Sequence, residues 1–281
     1  PRSDSMLQVS RYHIHGLTML ALFLFACGGP TGSERGGEGK TEGASLEKLT
    51  IAAAANMQFA MDSLVATFSR ETNIPCDVII GSSGKLTAQV TEGAPYDVFV
   101  SANMTYPNAI YKKGLALDSP VVYAYGRLVL WSLADGLVPS LEALVKPDIE
   151  HIAIANPELA PYGIAAMQAL KHYKLADKVE GKLVYGESIA QTNQFIVSRS
   201  ADIGFTAMSV VLSPQMENSG KWIEIDRDAY QPIAQGIVLI KRKDSVKREA
   251  LKFYNFLLSP PAQKILSNFG YHELGPADTD L

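Results

Sequence analysis

The chain has 281 residues, of which 47% are hydrophobic and 19% charged, enough for a sizeable core and for two lobes rather than one. Its formal net charge of −4 comes with no basic stripe and no Arg-rich run, so a phosphate backbone is excluded and nucleic acid is not an expected partner. Its two cysteines, Cys27 and Cys76, stand far apart, with no Cys-x-x-Cys and no His-rich cluster to suggest a zinc site.

The first 45 residues are expected to lie outside the folded body. After Met6 a weakly basic stretch with Arg11 leads into an apolar run from Leu17 to Ala26, followed by Cys27-Gly28. That run is too short to span a bilayer as a stable helix, and residues 1–27 resemble a bacterial lipoprotein signal. Cleavage before Cys27 would leave its thiol to carry lipid. Residues 28–45, rich in Gly, Ser, Thr and Glu, read as a flexible tether. Cys76 is then the one cysteine of the body, so no internal disulfide is expected despite export.

From Leu46 onward short apolar runs alternate with helical periodicity, the mark of an α/β fold with parallel strands and crossover helices. Strands are expected at Leu49–Ala53, Cys76–Ile80, Tyr96–Ser101 and Arg127–Trp131. Helices are expected over the Ala60–Phe68 stretch, Lys85–Glu92 and about Tyr106–Lys113. The chain then enters a second lobe, with a helix at Ser140–Val145, a strand at His151–Ala155, helices at Gly163–Tyr173 and Gln191–Ser198, and a strand at Ile203–Thr206. It returns through the extended run Gly236–Ile240 to two helices near Lys247–Leu258 and Pro261–Phe269, which should pack on the first lobe. The expected division is 46–125 with 234–281 for lobe 1 and 126–233 for lobe 2, joined by two hinge strands around a cleft.

Four segments run from a strand end through small residues into a helix start: Ala52-Ala53-Ala54-Ala55-Asn56, Gly81-Ser82-Ser83-Gly84, Asn156-Pro157 through Tyr162-Gly163, and Gly186-Glu187-Ser188-Ile189. A helix start has unpaired N–H groups and the positive end of the helix dipole, so it holds an anion without Lys or Arg. Ser82 and Ser83 add hydroxyls, Asn56 an amide N–H₂, Tyr162 a phenol or its N–H, and Ile189 its backbone N–H. Taken singly, each segment also reads as an ordinary cap or tight junction. Together they make a site of neutral donors. Such a site favours a fully ionised tetrahedral dianion, because the O–H of a protonated oxyanion would be left buried and unpaired at a cost of about 1–3 kcal/mol.

In order and with their neighbours these segments resemble the molybdate-binding periplasmic component of ABC transporters, a type II periplasmic binding protein. The resemblance runs from Leu49 to about Tyr271 and takes in Gly93-Ala94-Pro95-Tyr96-Asp97-Val98-Phe99-Val100-Ser101-Ala102, Ala201-Asp202-Ile203-Gly204-Phe205-Thr206 and Ser259-Pro260-Pro261-Ala262-Gln263. It implies two lobes, each a mostly parallel sheet flanked by helices, and an oxyanion held between them with no counter-cation. The implied ligand contacts are Asn56, Ser83, Tyr162 and the N–H of Ile189, with Ala55, Ser82 and Ser209 as further candidates. Some relatives also use a Tyr where this chain has Ala207; Tyr162, or else Ser209, is expected to make good that loss.

The implied function is capture of molybdate or tungstate outside the cytoplasmic membrane, in the periplasm or at the outer face of a bacterial membrane, and delivery to an ABC permease by a lipid-anchored monomer. No catalytic residue, no cofactor and no direct ligand to a metal cation are expected. The same fold binding sulfate or another small anion is one alternative. An enzyme is another, weakened by the scatter of His151, His172 and His272 and by the want of a nucleophile motif.

Overall fold

The computed structural model describes residues 48–243 and 245–272; the expectations placed on residues 1–45, Cys27 among them, lie outside the described residues. The first lobe is built around strand β1 (Leu49–Ala54), whose side chains alternate between two apolar clusters. Leu49, Ile51 and Ala53 enter one, and Ala52 enters the other. Both faces of this strand are therefore covered, which explains a sequence with no polar alternation.

A 3₁₀ turn (Ala55–Met57) leads from β1 into helix α1 (Gln58–Thr72), which points Ala60, Met61, Leu64 and Phe68 at the core and ends at Asn73 in the left-handed conformation. Then follow β2 (Cys76–Gly81), α2 (Ser83–Thr91), β3 (Val98–Ser101), α3 (Thr105–Lys112) and β4 (Val121–Gly126). Arg127 alone separates β4 from β5 (Leu128–Ser132), the first strand of the second sheet. The second lobe continues with β6 (Ile152–Ala155), α4 (Pro161–His172), α5 (Ala176–Val179), β7 (Leu183–Gly186), α6 (Ile189–Val197), β8 (Ile203–Ala207), α7 (Met208–Val211) and β9 (Lys221–Glu224). Strand β10 (Ile233–Leu239) then returns to the first sheet, and α8 (Arg248–Leu257) and α9 (Pro260–Asn268) follow it.

The strand orders are β2-β1-β3-β10-β4 and β7-β6-β8-β5-β9. Each sheet is mixed. The parallel pairings join β1 to β2 and β3, and β6 to β7 and β8. The antiparallel ones all involve β10 or β5, the first strands the chain lays down after changing lobes.

Three departures from the sequence-based expectation have local causes. The helix expected at Ser140–Val145 is only a 3₁₀ turn at Ala143–Val145, because Pro147 forces Lys146 into an extended conformation. Strand β9 was not expected; it is a four-residue sheet edge with mostly exposed side chains and no buried alternation to read, whereas β7, the other edge, ends at the Gly186 where a strand end was expected. Helices α5 and α7 are a single turn each, too short to show a period.

The C-terminal helices close the first lobe. Phe253 of α8 meets Phe68 of α1 edge-on at 5.2 Å between ring centroids, with Phe256 beside them at 5.5 Å from Phe68. The buried Asp97 accepts from the Thr50 N–H at 2.8 Å and pairs with Arg242 at 2.7 Å, tying the segment before α8 to the sheet. Phe253→Ala should destabilise the fold by about 3–5 kcal/mol in a urea titration. Leu251→Ala, on the 44% exposed face of the same helix, should cost less than about 0.5 kcal/mol.

Candidate functional site

The four predicted strand-to-helix turns meet at one small cavity between the sheets. Its wall is made of Ala54, Ala55 and Asn56 from the first turn, Ser82 and Ser83 from the second, Ala160, Pro161 and Tyr162 from the third, Ile189 from the fourth, and Ala102 beyond β3. No Asp, Glu, Lys, Arg or His lines it.

The helix starts differ in how they are capped. Ser82 and Ser188 are N-caps whose hydroxyls accept from the N–H groups of Lys85 at 3.3 Å and Gln191 at 3.4 Å. Ala54 and Ala160 occupy the same position at the other two starts and offer no capping side chain. First-turn N–H groups have no partner within their own helix, so the cavity is walled by residues that still have donors to give. Pro161 at the first position of α4 leaves Tyr162 as the first residue there with an N–H.

Asn56 is not a cap; it is the second residue of the 3₁₀ turn. Its amide N–H₂, expected to be free for a ligand, is committed inside the protein: Nδ2 donates to Gln235 Oε1 at 2.9 Å and to Tyr271 Oη at 2.8 Å. The donor left at this turn is the backbone. Ser83 Oγ accepts from the Ala102 N–H at 3.0 Å, which leaves its own hydrogen to donate.

Tyr162 and Ser209 were the two candidates to compensate for Ala207. Ser209 is outside the cavity wall and donates to the Asn56 carbonyl at 2.7 Å. Tyr271 reaches the same place, 3.2 Å from Ser209 Oγ and 3.1 Å from the Asn56 carbonyl. The Tyr162 ring lines the cavity, and its oxygen receives a long 3.5 Å hydrogen bond from Gln235 Nε2. Burial pushes the phenols of Tyr123, Tyr162 and Tyr271 up from their ordinary range, so all three stay protonated at neutral pH. Sequence reasoning missed Gln235, Tyr123 and Tyr271. A Gln inside the apolar run Ile233-Ala234-Gln235-Gly236-Ile237 was the available signal, since a buried amide needs partners.

Three contacts shut the mouth of the cleft. The Gly84 N–H donates to the Leu159 carbonyl at 2.9 Å, Tyr106 Oη donates to the Glu158 carbonyl at 3.1 Å, and Lys85 pairs with Glu187 at 2.7 Å. Each joins the first lobe to the second. A Cβ on Gly84 would sit 3.1 Å from the Leu159 backbone and from Tyr106 Oη, so only a glycine lets the lobes approach this far without adjustment. Among the described residues no group of three His, Cys, Asp or Glu side chains is placed to hold a metal ion.

Gly84→Ala therefore sets helix propensity against closure. Calorimetry with sodium molybdate as the probe should give affinity weakened by about 1 kcal/mol, while the melting temperature of the free protein holds or rises. Lys85→Ala should change affinity by under about 1 kcal/mol and lose that effect at high salt, since its ion pair is half exposed.

Residues 49–272 match the family model described as bacterial extracellular solute-binding protein. The molybdate-binding protein ModA of Azotobacter vinelandii is 35% identical over 231 residues, covering 81% of this chain and 91% of the relative. ModA of Rhodobacter capsulatus is 36% identical over 230 residues, covering 81% and 89%. Among solved structures, the periplasmic molybdate-binding protein of Azotobacter vinelandii superposes with a TM-score of 0.76 at 33% identity, over 81% of this chain and all of that one. With the two-lobed fold and the cavity between its sheets, these similarities make the chain a member of the bacterial extracellular solute-binding proteins and, within them, of the family of the ModA molybdate-binding proteins.

Proposed function

We propose that this protein captures molybdate or tungstate in the cavity between its lobes and delivers it to an ABC permease. The observation that carries this reading is a cavity walled by four helix starts and lined by no charged side chain. Opposed helix N-termini supply positive potential and N–H donors together, and they supply no acceptor. In this reading the anion accepts from the first-turn N–H groups of Ala55, Asn56, Tyr162 and Ile189 and from the hydroxyls of Ser83 and Tyr162. Ser82 shapes its turn by capping α2, and Ser209 supports the Asn56 backbone from behind.

The names of the relatives support molybdate as the cargo, and tungstate follows from its like charge and shape. Release to the permease requires the mouth contacts to open, and they are few and largely exposed. No acid or base faces the cavity, which favours binding without turnover. Export, with Cys27 as the lipid anchor and the protein acting as a monomer outside the cytoplasmic membrane, completes the proposal.

A thermal-shift panel at pH 7 tests it. Molybdate and tungstate should raise the melting temperature, by the equivalent of about 2.7 kcal/mol at a hundredfold excess over the dissociation constant. Hydrogen phosphate and simple carboxylates should leave it unmoved. A shift with phosphate or a carboxylate and none with molybdate contradicts the proposal.

A further inference from the structure

Behind the cavity wall is a buried amide that the ligand reading does not use. Gln235 is fully buried on β10, where the pairing with β4 slips between Gln235 and Gly236. The extra residue is Tyr123 of β4, left without a strand partner between Val122 and Ala124, and a bulge of this kind re-aims the side chain of the strand that carries it. Two donors converge on the Gln235 Oε1: Asn56 Nδ2 at 2.9 Å and Tyr123 Oη at 3.2 Å. With the oxygen end so engaged, the Nε2 end faces Tyr162 and donates to its phenol oxygen.

A phenol oxygen that accepts from Nε2 must turn its own hydrogen elsewhere. Among the described residues none accepts that hydrogen, and Tyr162, 2% exposed, lines the cavity. We propose, resting on the oxyanion reading above, that Gln235 is a positioning residue of the anion site, which makes the Tyr162 phenol an obligate donor to the bound oxyanion. Gly126 completes the arrangement at the end of β4. A Cβ there would collide with Tyr162 Oη and lie 2.6 Å from Gln235 Nε2. Bare backbone at the crossing point thus lets a phenol of the second lobe reach an amide of the first.

Titration calorimetry of the full chain with sodium molybdate, run as a double-mutant cycle, reads this coupling directly. Gln235→Met and Tyr162→Phe should each weaken binding about tenfold, and the two together about tenfold in total rather than a hundredfold. A residue that merely filled space would give losses that multiply. Gly126→Ala reaches the same pair from the hinge, should Gln235→Met fail to fold. It too should weaken binding about tenfold alone and cost nothing further in the Tyr162→Phe background. Multiplying losses in either cycle, or unchanged affinity in Gln235→Met, would overturn the role of Gln235 while leaving molybdate binding by the parent intact. A parent that binds no molybdate overturns the oxyanion reading and this proposal with it.

Discussion

Four helix starts pointed at one spot present a physical problem before they present a function. Each brings unpaired N–H groups and the positive end of a dipole, and like ends repel. In most folds such starts are satisfied by capping side chains or water. Here Ser82 and Ser188 cap two of them, Ala54 and Ala160 leave the others open, and no carboxylate lines the cavity to balance the field. In the reading proposed above, an anion in the cavity would resolve the problem for both lobes at once and would tie their closure to its own arrival.

Neutrality is what would make that solution selective. A lysine or arginine would bind almost any anion, and an aspartate would welcome a protonated one. A wall of N–H and O–H groups does neither, because each oxygen of the ion must be free to accept. Keeping hydroxyls in the donor sense takes organisation outside the wall. The Ala102 N–H occupies the Ser83 oxygen, and Gln235 occupies the oxygen of Tyr162. The second-lobe phenol is thus held by a first-lobe amide at the hinge, so the geometry of the site and the angle between the lobes are set by overlapping groups.

The turns themselves were legible in the sequence because their chemistry is local. Strings of Ala, Gly and Ser between a strand and a helix mark a place where backbone must be exposed, and all four lead to the one cavity. The helices with a clear period, such as α1 and α8, were legible for the same reason. The network behind the wall was not. Asn56 and Tyr271 are 215 positions apart and Asn56 and Gln235 are 179 apart, so no spacing rule connects them. The free amide expected of Asn56 failed on that account: its partners arrive from the far end of the chain. The edge strand β9 escaped for a different reason, since an exposed strand buries too little to impose a pattern.

An intact oxyanion held by neutral donors between the lobes is the claim on which the rest turns. Anomalous diffraction at the molybdenum edge, from crystals of the molybdate complex, tests it most directly. The peak should fall among Ala55, Ser83, Tyr162 and Ile189, with the oxygens of the ion within hydrogen-bond reach of the first-turn N–H groups and no charged side chain against them. A peak elsewhere, or one bonded directly to a protein side chain, would contradict it.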